Sequence, residues 1–259
     1  MTGEIQKGKN MRFQWLVGAA AFALLGSPAF AQDKASGQVA ESFEREIKKV
    51  VQGNFLIGLP KDYEKETTKR FPLIIFLHGS GERGSDIEIV KKHGPPKLIA
   101  AGKDLPFIIV SPQCPSNESW SVDMLNGMYK HITKKYRVDK ERVYLTGLSM
   151  GGFGTWAWAI DSPGKFAAIA PICGGGDPKK VGAIKEMPTW VFHGGKDNAV
   201  PIQRDQEMVD ALKALGSGVK FTIYPEAGHD SWTETYDNPE LYTWFLQHTR
   251  KAKEKEKSE

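Results

Sequence analysis

The sequence predicts an α/β protein: a mostly parallel, doubly wound sheet with helices on both faces and no large lid domain. Two observations predict it. Six short apolar runs alternate with longer amphipathic ones, the order that builds βαβ units. The short runs are apolar on both faces, as strands must be when helices cover a parallel sheet from each side. At 259 residues, 40% apolar and 25% charged, the chain has the material of one such domain.

The first 31 residues read differently from the rest. Lys7, Lys9 and Arg12 form a basic start, Trp15 to Leu25 carries no charge, and Gly26, Ser27 and Pro28 break the run before Ala29-Phe30-Ala31. That order is a cleavable export leader, with Met11 an alternative start. The rival reading is an uncleaved anchor, but the apolar run falls short of the roughly 20 residues that span a bilayer. Export to the periplasm or medium is the expectation, without stable membrane insertion after cleavage. Residues 32–249 then form the catalytic domain, and 250–259 (RKAKEKEKSE) form a charged tail. Without residues 1–31 the chain keeps 32 basic and 30 acidic groups, a net charge of +2. Such a balance offers no field for nucleic acid.

The elements follow in order. Glu44–Val51 and Asn54–Leu59 read as an antiparallel edge. Phe71–Leu77, Phe107–Val110, Val143–Thr146, Phe166–Ile172, Thr189–Phe192 and Phe221–Tyr224 read as strands, brief, branched or aromatic, and punctuated by Gly, Pro or His. Helical patterns lie at Ile87–Ala101, Asp123–Tyr136, Gly151–Asp161, Gln203–Leu215 and Leu241–Lys251. Ser121 is placed to cap the second, with Met124, Met128, Ile132 and Tyr136 on one stripe. Only about 15 residues separate Cys173 from Thr189, too few for a helical lid, so the substrate pocket should be open. Cys114 and Cys173 each follow a strand. A disulfide and two buried thiols both remain open, since pairing depends on Cα separation. The two cysteines and six histidines show no metal-ligand spacing.

Gly147-Leu148-Ser149-Met150-Gly151 follows the strand VYLT and precedes an amphipathic helix. A hydroxyl nucleophile must stand clear of the sheet, and the sharp strand-to-helix turn that lifts it admits only small neighbours. Its proton needs a base, and the base needs an orienting carboxylate. Asp197 follows TWVFHGG and His229 sits in Glu226-Ala227-Gly228-His229-Asp230, each just past a strand and in the chain order Ser, Asp, His. His78, His193 and His248 are weaker bases by position, the first two each preceding Gly at a strand end. Asp177 is the rival acid, and Glu226 and Asp230 lie too near His229. His78-Gly79-Ser80-Gly81 ends the first long strand, so the Ser80 amide, with Gly81 next, and the Met150 amide are candidate oxyanion donors. Glu82 and Arg83 read as a local ion pair before a substrate contact. Trp120 divides evenly between a substrate-pocket wall and a core aromatic, while Trp156 and Trp158 read as packing. Gly174–Gly176 lacks the Lys and Ser/Thr of a phosphate loop.

Taken together, LPKDYE, HGSGERG, GLSMGG, HGGKDNAVP and AGHDSW resemble bacterial α/β-hydrolases of the phospholipase/carboxylesterase and dienelactone-hydrolase-like group. The similarity is strongest to a branch named as peptidases and related to feruloyl-esterase-like and polyhydroxybutyrate-depolymerase-like enzymes. It runs from about Gly53 to the final helix. It implies a Ser149–Asp197–His229 triad and esterase activity on small or medium acyl esters. Export and an open pocket add carbohydrate-linked and phenolic esters to the expected small-molecule substrates, and two-step acyl transfer by the triad needs no cofactor. Dienelactone hydrolase itself uses a cysteine nucleophile where this chain has Ser149. Prolyl oligopeptidases, behind the peptidase name, carry a propeller for which this chain has no room. A peptidase or amidase using the same triad is the runner-up, and a non-catalytic binding module the rival of another class.

Overall fold

The computed structural model describes residues 50–250 and the isolated Ser42. The leader, most of the Glu44–Val51 run and residues 251–259 lie outside the described residues. The strands are β1 (Phe55–Gly58), β2 (Phe71–Leu77), β3 (Ile108–Pro112), β4 (Val138–Leu148), β5 (Ala168–Ile172), β6 (Trp190–Gly194) and β7 (Lys220–Tyr224). They form one sheet in the order β1-β3-β2-β4-β5-β6-β7. All neighbours are parallel except β1, which runs antiparallel to β3 with Ile57 opposite Val110. The expected antiparallel edge is therefore present, but its partner among the described residues is β3, not the segment before it.

Alternation along β2 shows how one strand feeds two cores. Leu73, Ile75 and Leu77 pack on one face, and Ile74 and Phe76 on the other. The first face is covered by α2 (Val122–Lys135), α3 (Met150–Asp161) and α4 (Gln203–Ala214). The second is covered by α1 (Gly94–Ala100), α5 (Trp232–Asp237) and α6 (Pro239–Leu246), and it is rich in aromatics, with Phe107, Tyr144, Trp190, Tyr236 and Phe245 in one cluster. Ser121 caps α2, accepting from the Met124 amide. The buried stripe of α2 is Leu125, Met128 and Ile132, while Met124 and Tyr136 pack at its margin.

Two helical runs break where proline dictates. Ile87–Ala101 divides into a 3₁₀ turn at Ile87–Lys92 and α1, because Pro95 and Pro96 tolerate only a helix's first turn. Gly94 makes the break with φ +65°, where a β-carbon would lie 2.6 Å from the Phe76 ring. The terminal run likewise starts at Pro239, after Asn238 accepts from the Glu240 amide, and ends at Leu246. β4 starts five residues earlier than its apolar stretch, since Val138 already pairs with Phe71. Among the described residues no helix is long and apolar enough to cross a membrane.

Sheet order also decides the cysteines. Cys114 follows β3 and Cys173 follows β5, with β2 and β4 between them. Three interstrand steps put them roughly 14 Å apart, about twice the Cα reach of a disulfide. Both are buried free thiols.

Candidate active site

Successive strands leave β2 in opposite directions, β3 on one side and β4 on the other. Ligand sites of open α/β sheets form at such a switch point, at the carboxyl ends of the strands. There β4 turns sharply into α3 through Ser149, whose φ is +52° and ψ −117°. A side chain in this region is strained, and the surroundings enforce it. A β-carbon on Gly151 would sit 1.9 Å from the Leu77 carbonyl oxygen, and one on Gly147 2.4 Å from the Gly151 oxygen. The Ser149 amide donates to Ile172 O at 3.0 Å, which ties the turn to β5.

Ser149 Oγ lies 2.9 Å from His229 Nε2, and His229 Nδ1 lies 2.8 Å from Asp197 Oδ2. The three residues nominated from the sequence thus stand in one hydrogen-bonded row. Because the Asp197 carboxylate accepts, Nδ1 carries the proton and Nε2 is free to accept from the serine hydroxyl. Asp197 Oδ1 accepts from the Ala199 and Val200 amides at 2.8 and 2.9 Å, and its side chain is fully buried. Burial alone would raise this carboxyl. The His229 hydrogen bond and the two amides outweigh that and hold it below the usual carboxylate range. His229 keeps about a quarter of its side-chain surface exposed, so the row opens toward solvent at its serine end.

The alternatives have other work. Asp177 starts the 3₁₀ turn Pro178–Ile184 by accepting from the Lys179 amide. Asp230 accepts from the Thr233 amide and hydroxyl at the start of α5, and Glu226 pairs with Lys196. His78 donates through Nδ1 to Gly79 O at 2.6 Å and accepts the Cys114 amide at Nε2, so it braces the loop after β2. Burial, partly opposed by the Gly79 bond and Glu82, lowers its pKa. His248 is in contact with the Trp244 ring, away from the row.

Met150 is the first residue of α3, where an amide has no carbonyl one turn back and the helix end is electropositive. Gly79 packs beside Ser149, since a β-carbon on it would lie 3.7 Å from Ser149 Cβ. Ser80 follows, exposed, and opens a 3₁₀ turn at Ser80–Glu82. The Glu82–Arg83 pair does not form. Arg83 instead reaches the carbonyls of Ser80 and Glu118, and buried Glu82 faces His93 at 3.7 Å, because the turn points the two side chains apart. Trp120 takes the core reading: it is 9% exposed, donates to His78 O at 3.2 Å and rests on Gly154.

Four residues at or behind the row have no part in it on the sequence reading. Trp232 sets its ring edge-on to His229 at 5.2 Å and to His93 at 5.4 Å. Its signal was its place in AGHDSW. His193 lies behind Asp197, with Asp205 behind it; an acid at a stripe position shared with Met208, Val209 and Leu212 was the clue. Cys173, at φ +41°, offers sulfur within 4.8 Å of ligand atoms on Asp197 and His229. These three are the one metal-like grouping among the described residues. Desolvation pushes the Cys173 thiol far up, so it is a poor ligand, and the other two are bonded to each other.

Residues 116–258 match the model of the dienelactone hydrolase family. A protein of Methylorubrum extorquens named as a carboxymethylenebutenolidase is 31% identical over 102 residues, which make up 36% of this chain and 35% of that protein. A bifunctional acetylxylan esterase/xylanase of Neocallimastix patriciarum is 27% identical over 187 residues, 67% of this chain and 26% of that protein. The crystal structure of a thermostable esterase superposes with a TM-score of 0.66 at 34% identity, covering 76% of this chain and 59% of that one. The chain therefore spans less than two thirds of the length of each of these proteins. Its own mostly parallel sheet, with the serine turn after β4 and the Asp197 and His229 loops after β6 and β7, is an α/β-hydrolase fold, and with more than half its length matched the chain belongs to the dienelactone hydrolase family.

Proposed function

We propose that this protein is an exported serine hydrolase of small-molecule carboxylic esters, with Ser149 as nucleophile, His229 as base and Asp197 as its orienting carboxylate. One observation carries the reading: the unbroken row from Asp197 through His229 to Ser149, at 2.8 and 2.9 Å, on a strained turn that presents the hydroxyl. His229 Nε2 takes the Ser149 proton as Oγ attacks the ester carbonyl. The tetrahedral oxyanion forms at the start of α3, where the Met150 amide and the Ser80 amide across the cleft are the donors we assign. Its collapse breaks the acyl–oxygen bond, and the leaving alcohol takes the proton from His229. Water then adds to the acyl-enzyme by the same steps, releasing the acid and restoring Ser149. Every step is a proton or acyl transfer among these groups, so the mechanism calls on no cofactor.

The leader-like pattern of residues 1–31 supports export, to the periplasm or medium. Sugar-linked and phenolic esters are the substrate types we favour: both would be met outside the cell, and an acetylxylan esterase is among the similar proteins. The test is hydrolysis of p-nitrophenyl acetate, butyrate and octanoate, acetylated xylan and a feruloyl ester, alongside Ser149→Ala. Turnover that falls about a thousandfold or more in the variant supports the assignment. Unchanged turnover in Ser149→Ala refutes it, and faster cleavage of a matched anilide than of its ester makes the protein an amidase instead.

A further inference from the structure

Behind Asp197 the fold buries a second imidazole–carboxylate pair. His193, in β6, has no exposed surface. Its Nδ1 lies 2.8 Å from Asp205 Oδ2, and its Nε2 lies 2.9 Å from the Val200 carbonyl oxygen and 3.3 Å from Asp197 Oδ2. A carbonyl oxygen only accepts, so Nε2 carries a proton. Asp205, on α4 and also fully buried, accepts from the Trp156 indole N–H and the Gly174 amide, each at 2.8 Å. A carboxylate gathering N–H donors accepts from Nδ1 as well, which leaves protons on both ring nitrogens. Burial would discharge the ring, but Asp205, the Val200 carbonyl and Asp197 outweigh it and hold its pKa above the ordinary histidine value.

We propose that His193, paired with Asp205, is a positioning residue that fixes Asp197 for His229. The proposal rests on the reading of Ser149, His229 and Asp197 as the catalytic groups. Two physical effects carry it. The Val200 amide donates to Asp197 Oδ1 while its carbonyl accepts from His193, so the imidazole clamps the loop that aims the carboxylate. Asp197 Oδ2 also lies between two imidazoles, 2.8 Å from Nδ1 of His229 and 3.3 Å from Nε2 of His193. Two N–H groups, one on either side, thus hold the carboxylate between them. Cys173, just past β5, also faces Asp197, and burial keeps its thiol neutral, so the charge opposite His193 is that of Asp205.

The test uses the full chain and the variants His193→Gln and His193→Gln/Asp205→Asn, the second leaving no unpaired buried charge. Without the imidazole the Val200 loop loses its tie, and Asp197 aims His229 less well. We expect kcat to fall about tenfold with KM nearly unchanged, as for an interaction made in the transition state. A kcat that stays unchanged in a folded variant overturns the proposal. An ¹⁵N-histidine spectrum of the parent at pH 7.5 decides independently of variant folding and of turnover. One ring of the six should keep protons on both nitrogens, and a spectrum without such a ring overturns the proposal. A parent that hydrolyses no ester defeats the functional reading instead, and the spectrum still decides the state of His193.

Discussion

Asp197 shows how one residue serves fold and chemistry with the same hydrogen bonds. Its carboxylate accepts from His229, Ala199 and Val200 while fully buried, and the bonded charged form is favoured over the protonated one. Asp197→Asn keeps the shape, but the amide can accept from Nδ1–H through only one atom and stabilises no imidazolium. We expect kcat on p-nitrophenyl esters to fall by about 10³–10⁴. The same carboxyl links stability to pH. Its folded pKa is depressed, so its contribution is complete above the ordinary carboxylate value and disappears as pH falls through the lower folded value. The urea midpoint of the parent should therefore exceed that of Asp197→Asn most at pH 7, with the gap closing toward pH 3. A constant gap would show that the variant suffers from packing and not from the lost charge.

At the scale of elements, the turn between β4 and α3 depends on what is missing from its glycines. Gly151→Ala would press a β-carbon 1.9 Å from the Leu77 carbonyl oxygen, so α3 must move off the sheet. The expected loss is about 3 kcal/mol, read as a lower urea midpoint at unchanged slope, with impaired turnover as Ser149 shifts. Gly164→Ala, in the turn after α3, meets nothing within 4 Å at an ordinary φ, and should be neutral or stabilise by about 0.5 kcal/mol. The contrast separates steric demand from glycine content. It also bears on what could be read from the chain. FPLIIFL and GLSMG announce themselves because strand burial and the tight turn each demand one kind of residue. The opening of β4, Val138 to Glu141, carries Asp139, Lys140 and Glu141 and reads as surface loop, yet Val138 is fully buried against β2. Asp205 was hidden for the opposite reason: an acid in a polar helix reads as solvated until the partners meeting it, His193, Trp156 and Gly174, are brought from three other places. Local composition reports which side chains want burial, and only the assembled sheet reports which of them face each other.

Across the whole molecule, strand order is what composition could least supply, and the cysteines report it. Each follows an apolar strand, so sequence alone leaves both a disulfide and two buried thiols open. The order β3-β2-β4-β5 places two strands between their positions, a gap of roughly 14 Å that no disulfide spans. Both thiols are buried, and desolvation raises each, Cys114 to about 11 and Cys173 further. The thiolate is the reactive form, so native protein should titrate almost no thiol with a disulfide-exchange reagent at pH 8. Unfolded in guanidinium without reductant, the chain should titrate two, and its melting temperature should not respond to reductant. Zero thiols in the unfolded chain would mean an intramolecular bond. That bond cannot form across two intervening strands, so the result would overturn the sheet order and the switch point at which Ser149 stands.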